Sequence, residues 1–346
     1  MRPLSNRGEY PEMAERKRIL SGMRPTGRLH LGNLHGALDN WIQLQNQYEC
    51  FFFVADWHAL TTDYASPGAI RDNSWEMIMD WLSAGLDPEL CTPFIQSEIK
   101  EHAELYLLLA MLTPLPWLER NPTYKEQQQQ LDQKDLATYG FLGYPVLMAA
   151  DIIIYRANGV PVGKDQLPHV ELTREIARRF NFMYNTEVFP IPDPLLTEVP
   201  VLPGTDGRKM SKSYGNCIFI TEPEESIIDK ISKMMTDPQR IRRNDPGNPE
   251  VSPVFAYHKL YSSPSEVADI ADGCRTARIG CVECKKRLMK NVIAKLAPIR
   301  ERRLQLEAKA SKVREIIEAG NEKARREARV TMELVRRAVG LADNGH

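Results

Sequence analysis

The chain has 346 residues, 42% hydrophobic and 26% charged, which is enough apolar surface for a sizeable core and leads one to expect two domains. No apolar run reaches the ~18–20 residues a membrane helix needs, and the charged opening MRPLSNRGEYPEMAERKRIL lacks the apolar stretch of a secretory leader. Net charge is −1, but from Lys285 to Arg337 there are 17 Lys and Arg against 7 Glu and no Asp, a local +10 that leaves −11 for the remainder. A basic segment joined to an acidic body suggests a polyanionic partner for that segment.

In chain order, RILSG (18–22) and CFFFVAD (50–56) read as buried strands, and TPFIQ (92–96) and GVPVG (159–163) as shorter ones. Helical periodicity appears at 31–46, 68–86, 100–112, 139–156 and 165–180. Strands alternating with helices predict an α/β fold built on a parallel, doubly wound, Rossmann-like sheet. In such sheets ligands bind beyond the carboxyl ends of the strands. Residues 199–215, rich in Gly, Ser and Lys, read as a surface loop, and 236–253, with four prolines, as a boundary region. The rest is helical in pattern, with Pro298 marking a kink or join. The expected division is a catalytic domain over 1–216 and an all-helical domain over 217–346. Gln127 to Gln130 is too short a polar run to signal disorder.

Two segments carry chemistry. The first, Ser21-Gly22-Met23-Arg24-Pro25-Thr26-Gly27-Arg28-Leu29-His30-Leu31-Gly32-Asn33, follows the first strand and opens a helix. A phosphate there would meet free N–H groups, an imidazole and an amide. A tight turn capped by Asn33 would use the same residues. The second is Lys209-Met210-Ser211-Lys212-Ser213 on a glycine-flanked loop. Its two lysines suit charge building on a leaving pyrophosphate, although a solvated basic loop looks similar.

Together, HLGN after strand one and KMSKS late in the same domain resemble the class I aminoacyl-tRNA synthetases, with Asn33 where the family's HIGH motif ends in His. Gly143-Tyr144-Pro145-Val146-Leu147-Met148-Ala149-Ala150-Asp151 and Val160-Pro161-Val162-Gly163-Lys164-Asp165-Gln166 resemble the tryptophan-binding segments of tryptophanyl-tRNA synthetases, and the likeness runs from about Arg18 to Leu341. The resemblance implies activation of L-tryptophan with ATP and Mg²⁺ and transfer to tRNA(Trp), in a cytoplasmic homodimer whose helical domain meets the anticodon region. It assigns catalytic roles to His30, Asn33, Lys209 and Lys212. It assigns ATP contacts to Arg24, Pro25, Thr26, Gly32, Asn33, Gly163, Lys164, Asp165, the backbone of Val201, and Lys209 to Ser213. Lys164 departs from the family, where Glu is frequent, which weakens any role for its side chain. A tyrosine-specific relative and a non-catalytic paralogue are the alternatives.

The residues support tryptophan on their own terms. Tyr144, Met148 and Asp151 fall at i, i+4 and i+7, one helix face. An aromatic ring and a thioether suit a flat indole, and one carboxylate suits its single N–H. Gln166, by resemblance, faces the amino acid. A site built around that hydrogen bond would reject phenylalanine by about 10⁴–10⁵. A surface or helix-capping Asp151 is the plainer reading.

Cys50, Cys91 and Cys217 read as isolated reduced thiols. Cys274, Cys281 and Cys284 follow C-x6-C-x2-C. Some tryptophanyl-tRNA synthetases hold an iron–sulfur cluster on such a trio plus an upstream Cys. Ser252 stands where that Cys is expected, so no metal is firmly assigned and a remnant group of thiols is favoured.

Overall fold

The computed structural model describes residues 16–120, 138–196 and 202–342. Val201 and the Gln127–Gln130 run lie outside them. Five strands, β1 (Arg18–Met23), β2 (Glu49–Val54), β3 (Cys91–Ile95), β4 (Gly159–Val162) and β5 (Asp193–Leu196), form one parallel sheet in the order β3-β2-β1-β4-β5. β2 is buried from Cys50 to Val54, the near-continuous apolar pattern of a strand covered on both faces. β5 was not foreseen. Its short sequence DPLL sits at the sheet edge, where Pro194 costs no ladder bond on the solvent side.

The chain winds from β1 outward to β3 and then returns to place β4 on the other side of β1. That reversal creates a switch point, and in such sheets the crevice there takes the ligand. β1 pairs with β2 through all of Arg18 to Met23, but with β4 only through Ile19 and Gly159. Beyond that single pair the two strands part.

Helix α1 starts as Leu31–Asn33, passes through a π-helical turn at Leu34–Leu38 and continues as Asp39–Leu44. Helices α2 (Asp56–Asp63), α3 (Ile70–Ala84), α4 (Glu101–Leu112) and α5 (Leu115–Glu119) follow. Next come α6 (Tyr139–Ile154) and α7 (Leu167–Met183). The remainder is helical as expected: α8 (Glu224–Lys233), α9 (Pro253–Tyr261), α10 (Pro264–Arg275), α11 (Cys281–Glu307) and α12 (Ala310–Ala338). Pro298 does not mark a join. α11 runs through it unbroken, with Leu296 and Ile299 buried on either side.

The alternation of the strands divides the core. Ile19, Phe52 and Val54 face one cluster with Trp41, Trp81 and, from α11 and α12, Leu288, Val292, Leu296 and Ile317. Leu20, Phe51 and Phe53 face another with Ile152, Val170 and, from α12, Ala324, Ala328 and Met332. α12 therefore joins both layers, and it closes the free edge of β3. Asn321 Oδ1 accepts from the Ile95 N–H at 2.9 Å, satisfying an edge donor that would otherwise invite pairing. Gly320 permits the approach, since a Cβ there would stand 1.9 Å from the Pro93 carbonyl oxygen.

This docking also accounts for the charge asymmetry. Arg303, 5% exposed, binds Asp80 and Glu76. Arg300 reaches Glu224, Arg329 reaches Glu101, and Arg336 reaches Glu104. Among the described residues, six of the 17 cations of the basic segment, Arg287 and Lys323 included, thus pair with carboxylates of the rest of the chain, which removes those six from the surface open to an external polyanion.

Candidate active site

A cavity of about 390 Å³ opens where β1 and β4 part, within the ~300–1,000 Å³ range of small-molecule sites. Leu20 to Gly22 of β1 and Val160 to Val162 of β4 form its floor. Arg24, Tyr144, Met148, Asp151, Gly163 and Gln166 all line it. The i, i+4, i+7 face of α6 thus points into the switch-point crevice. Lys164 and Asp165 are exposed beside it, with Asp165 Oδ2 accepting from Gln166 Nε2 at 2.8 Å.

Asp151 is fully buried, and its carboxylate is already engaged. His58 Nε2 donates to Oδ2 at 2.8 Å and His102 Nδ1 to Oδ1 at 2.6 Å. Gln96 Nε2 spans both oxygens at 2.8 and 2.9 Å. Burial works to raise the Asp151 pKa, but hydrogen bonds from His102 and His58 outweigh it and hold the group below the usual carboxylate range. His102 Nε2 continues the chain to the Tyr155 hydroxyl at 2.7 Å. Of the three donors, Gln96 and His102 are fully buried, while the His58 side chain is 12% exposed and lines the cavity. One helical turn and more away on the same face, the Tyr144 hydroxyl meets His169 Nε2 at 3.1 Å. Burial, with His58 nearby, lowers the His169 pKa to about 4, so its imidazole is neutral at neutral pH.

Arg24 reaches the Thr62 hydroxyl and lies 3.6 Å from Asp63. Its Nε is buried with no protein acceptor among the described residues. Burial pulls its pKa down. A desolvated cation with an unused donor on a cavity wall suits an anionic ligand.

The two signature loops meet just outside this cavity. His30 is the N-cap of α1. Its backbone N–H donates to Asn33 Oδ1 at 3.1 Å, and the Asn33 N–H donates to His30 Nδ1 at 3.3 Å. The capping role is therefore real, and it assigns the ring proton to Nε2. Burial, then the neighbouring Lys212 ammonium, lowers the His30 pKa to about 4, leaving a neutral N–H donor. Leu31 N–H donates to Ile218 O and Ile220 N–H to Leu29 O, both at 2.9 Å, tying the turn to the chain that follows the lysine loop. Lys212 Nζ donates to Thr26 O at 2.7 Å and Thr26 Oγ1 at 3.1 Å. Met210 is buried below Gly32, Ser211 and Ser213 bond through their hydroxyls, and Lys209 is exposed. Asn216 braces the loop, accepting from Ser211 N–H at 2.8 Å and donating to Asp206 Oδ1 at 2.8 Å.

Residues 12–297 match the family model of class I tRNA synthetases for tryptophan and tyrosine. The tryptophan–tRNA ligase of Thermotoga maritima is 55% identical over 94% of this chain and 99% of its own length. That of Aquifex aeolicus is 46% identical over 94% of this chain and its whole length. The chain belongs to the tryptophan–tRNA ligase family of class I synthetases. Among solved structures, the Campylobacter jejuni tryptophanyl-tRNA synthetase complexed with ADP and tryptophan superposes with a TM-score of 0.85 at 36% identity, over 94% of this chain and all of that one.

The residues at some members' iron–sulfur site differ here, with Ser252 at the position of the fourth cysteine. Ser252 ends a turn, its carbonyl accepting from the Phe255 N–H at 3.0 Å. Cys284 Sγ lies 3.5 Å from His258 Nε2, and burial beside Cys274 and Cys281 pushes its thiol up to about 12. Among the described residues no three His, Cys, Asp or Glu side chains converge to hold a metal ion. Three thiols with a serine at the fourth position do not fit a four-thiolate cluster. All six cysteines are free.

Sequence reasoning missed His58, Gln96, His102 and His169 around the indole-sized face, and Asn216 under the loop. The need for partners at a carboxylate beside Ile152-Ile153-Ile154 was the available signal.

Proposed function

We propose that the cavity binds L-tryptophan and ATP, that the tryptophan carboxylate attacks the α-phosphate to release pyrophosphate, and that a terminal ribose hydroxyl of tRNA(Trp) then attacks the adenylate's carbonyl carbon and releases AMP. The observation that carries this reading is the convergence of the turn ending in HLGN with the KMSKS loop, Lys212 on Thr26, beside the switch-point cavity. Tyr144 and Met148 flank the indole. Its N–H approaches Asp151 at Oδ2 by sharing that oxygen with His58 or displacing it, because the other donors are wholly enclosed. Gln166 faces the amino-acid backbone. Arg24, with Pro25 and Thr26, meets the reacting anions through its unused Nε. Neutral His30 Nε2–H and the Asn33 amide contact the phosphates above Gly32, and Gly163 to Asp165 lie beside the ribose.

Lys212 leaves Thr26 for the triphosphate, and with Lys209 it neutralises charge on the departing pyrophosphate. Ser211 and Ser213 shape that loop, and Met210 anchors it. Catalysis is by positioning and charge stabilisation, with no covalent enzyme intermediate. Mg²⁺ enters on the triphosphate as part of the substrate, as is usual for this cation. Residues 1–216 perform activation and 217–346 carry the tRNA contacts, in a homodimer of the cytoplasm.

ATP–pyrophosphate exchange with each of the twenty amino acids, followed by charging of tRNA(Trp), tests the reading. Exchange only with tryptophan is expected. Exchange driven by tyrosine instead would move the chain to the tyrosine branch, and none with any amino acid would leave a non-catalytic paralogue.

A further inference from the structure

Away from the activation site, a second concave surface of about 570 Å³ is lined by Arg240, Arg242, Arg243 and Lys286, with Glu283. It lies at the start of α11, whose N-cap, Gly280, has no side chain to satisfy the first amides. The positive charge here differs from that of Arg300, Arg303, Arg329 and Arg336, which reach carboxylates. Glu283 is engaged by Arg287 at 2.6 Å, and Arg287 also binds Asp269. Asp245 accepts the backbone N–H of Arg242 at 2.7 Å. Arg240 spends its guanidinium on the carbonyls of Arg243 and Ile279, at 2.7 and 2.8 Å, which braces the two segments together. Arg242, Arg243 and Lys286 are exposed, and among the described residues no carboxylate forms an ion pair with them.

Three exposed cations on one concave surface raise a local positive potential that attracts an anion. The arginines of α11 and α12 that reach carboxylates of the body are spoken for. We propose that this basic concavity, where the 236–253 region meets the start of α11, is a surface that grips the RNA backbone, with Arg242, Arg243 and Lys286 each placed against a phosphate. The inference rests on the tRNA-charging reading and narrows it from a 130-residue region to three side chains. RNA phosphates fit because the groups are flexible or forked cations on an open surface, without the enclosed polar groups that would select one small ligand.

The test uses the full chain and a tRNA(Trp) transcript. The triple variant R242A/R243A/K286A should keep tryptophan-dependent pyrophosphate exchange and bind the tRNA roughly a hundredfold more weakly at ~0.1 M salt. The slope of log affinity against log salt should become shallower by about 2 to 3, at roughly 0.7–0.9 per lost phosphate contact. R242K/R243K should keep the wild-type slope, and R329A, whose partner is Glu101, should leave it unchanged. An unaltered slope in the triple variant, while the unmodified chain charges tRNA normally, would overturn the surface and leave the enzymatic reading standing. So would a slope lost equally in the lysine double variant. Failure of the unmodified chain to activate tryptophan would instead remove the reading beneath it.

Discussion

Replacing Asp151 tests how the indole is read. A buried carboxylate left without partners by the wrong substrate would enforce discrimination of about 10⁴–10⁵. The geometry here calls for a smaller figure. His58, Gln96 and His102 already satisfy both oxygens, so phenylalanine does not leave Asp151 unpaired. It only forgoes one charge-assisted bond, about 1.5–3 kcal/mol. That converts to roughly 10- to 150-fold in the ratio of kcat/KM for tryptophan over phenylalanine. Asp151→Asn retains an acceptor and should lose about tenfold of that ratio. Asp151→Ala should lose all of it and also strand two fully buried donors, Gln96 and His102, at about 1–3 kcal/mol each, a large share of the ~5–15 kcal/mol stability of a domain. Exchange kinetics with tryptophan, tyrosine and phenylalanine, alongside urea melts, separate the two effects. An unchanged ratio in the folded Asn variant would place indole recognition elsewhere. A ratio collapsing by 10⁴ or more would mean that the His58 and Gln96 bonds are absent in the working enzyme.

Lys212→Ala should slow adenylate formation by about 10²–10³ with tryptophan binding unchanged; wild-type exchange rates would remove the lysine from the chemistry. Folded His30 and His169 titrate at about 4 against an ordinary 6.5. The unfolded chain therefore binds more protons in that window, and stability should climb as pH rises through it and level off above. Urea midpoints across the window check the sign, and His169→Asn should flatten the climb. Anaerobic purification with iron and sulfide assays should find no stoichiometric cluster; four irons per chain would show that Ser252 or another group completes the site. Arg303→Ala should cost about 3–5 kcal/mol by stranding buried Asp80, whereas Arg336→Ala, at a half-exposed pair, should cost at most about 1 kcal/mol. Neither should alter the salt dependence of tRNA binding.

The fold was legible where one physical signal dominated. Apolar runs located β1 to β4, and their alternation with amphipathic segments predicted the sheet class. β5 escaped because DPLL has too few residues and a proline. α2 escaped because its first residue, Asp56, was read as the end of the preceding strand, and Thr61, Thr62 and Asp63 blur its period. That omission mattered, since α2 carries His58 into the cavity. Pro298 marks no join for a different reason. Leu296 and Ile299 are buried on either side of it, and tertiary burial outweighs one lost backbone bond, so α11 continues through it.

The site was legible along single helices but not between them. Tyr144, Met148 and Asp151 share a face by periodicity alone, whereas the partners of Asp151 come from residues 49 to 93 positions away and follow only from topology. Charge shows the same limit at larger scale. Composition gave a tail of +10 on a body of −11, and part of the polyanion inferred from it is the body itself, which pairs with six of the tail's 17 cations. A count of charges fixes how much compensation is needed but not where it comes from. Asp80 makes the point. It accepts from Arg303 of α11 at 2.8 Å and from the Leu29 N–H at 2.6 Å, one residue before His30. The helical region is thereby tied to the turn that presents His30, so charge that sequence alone assigns to an external partner also braces the turn of the proposed phosphate site.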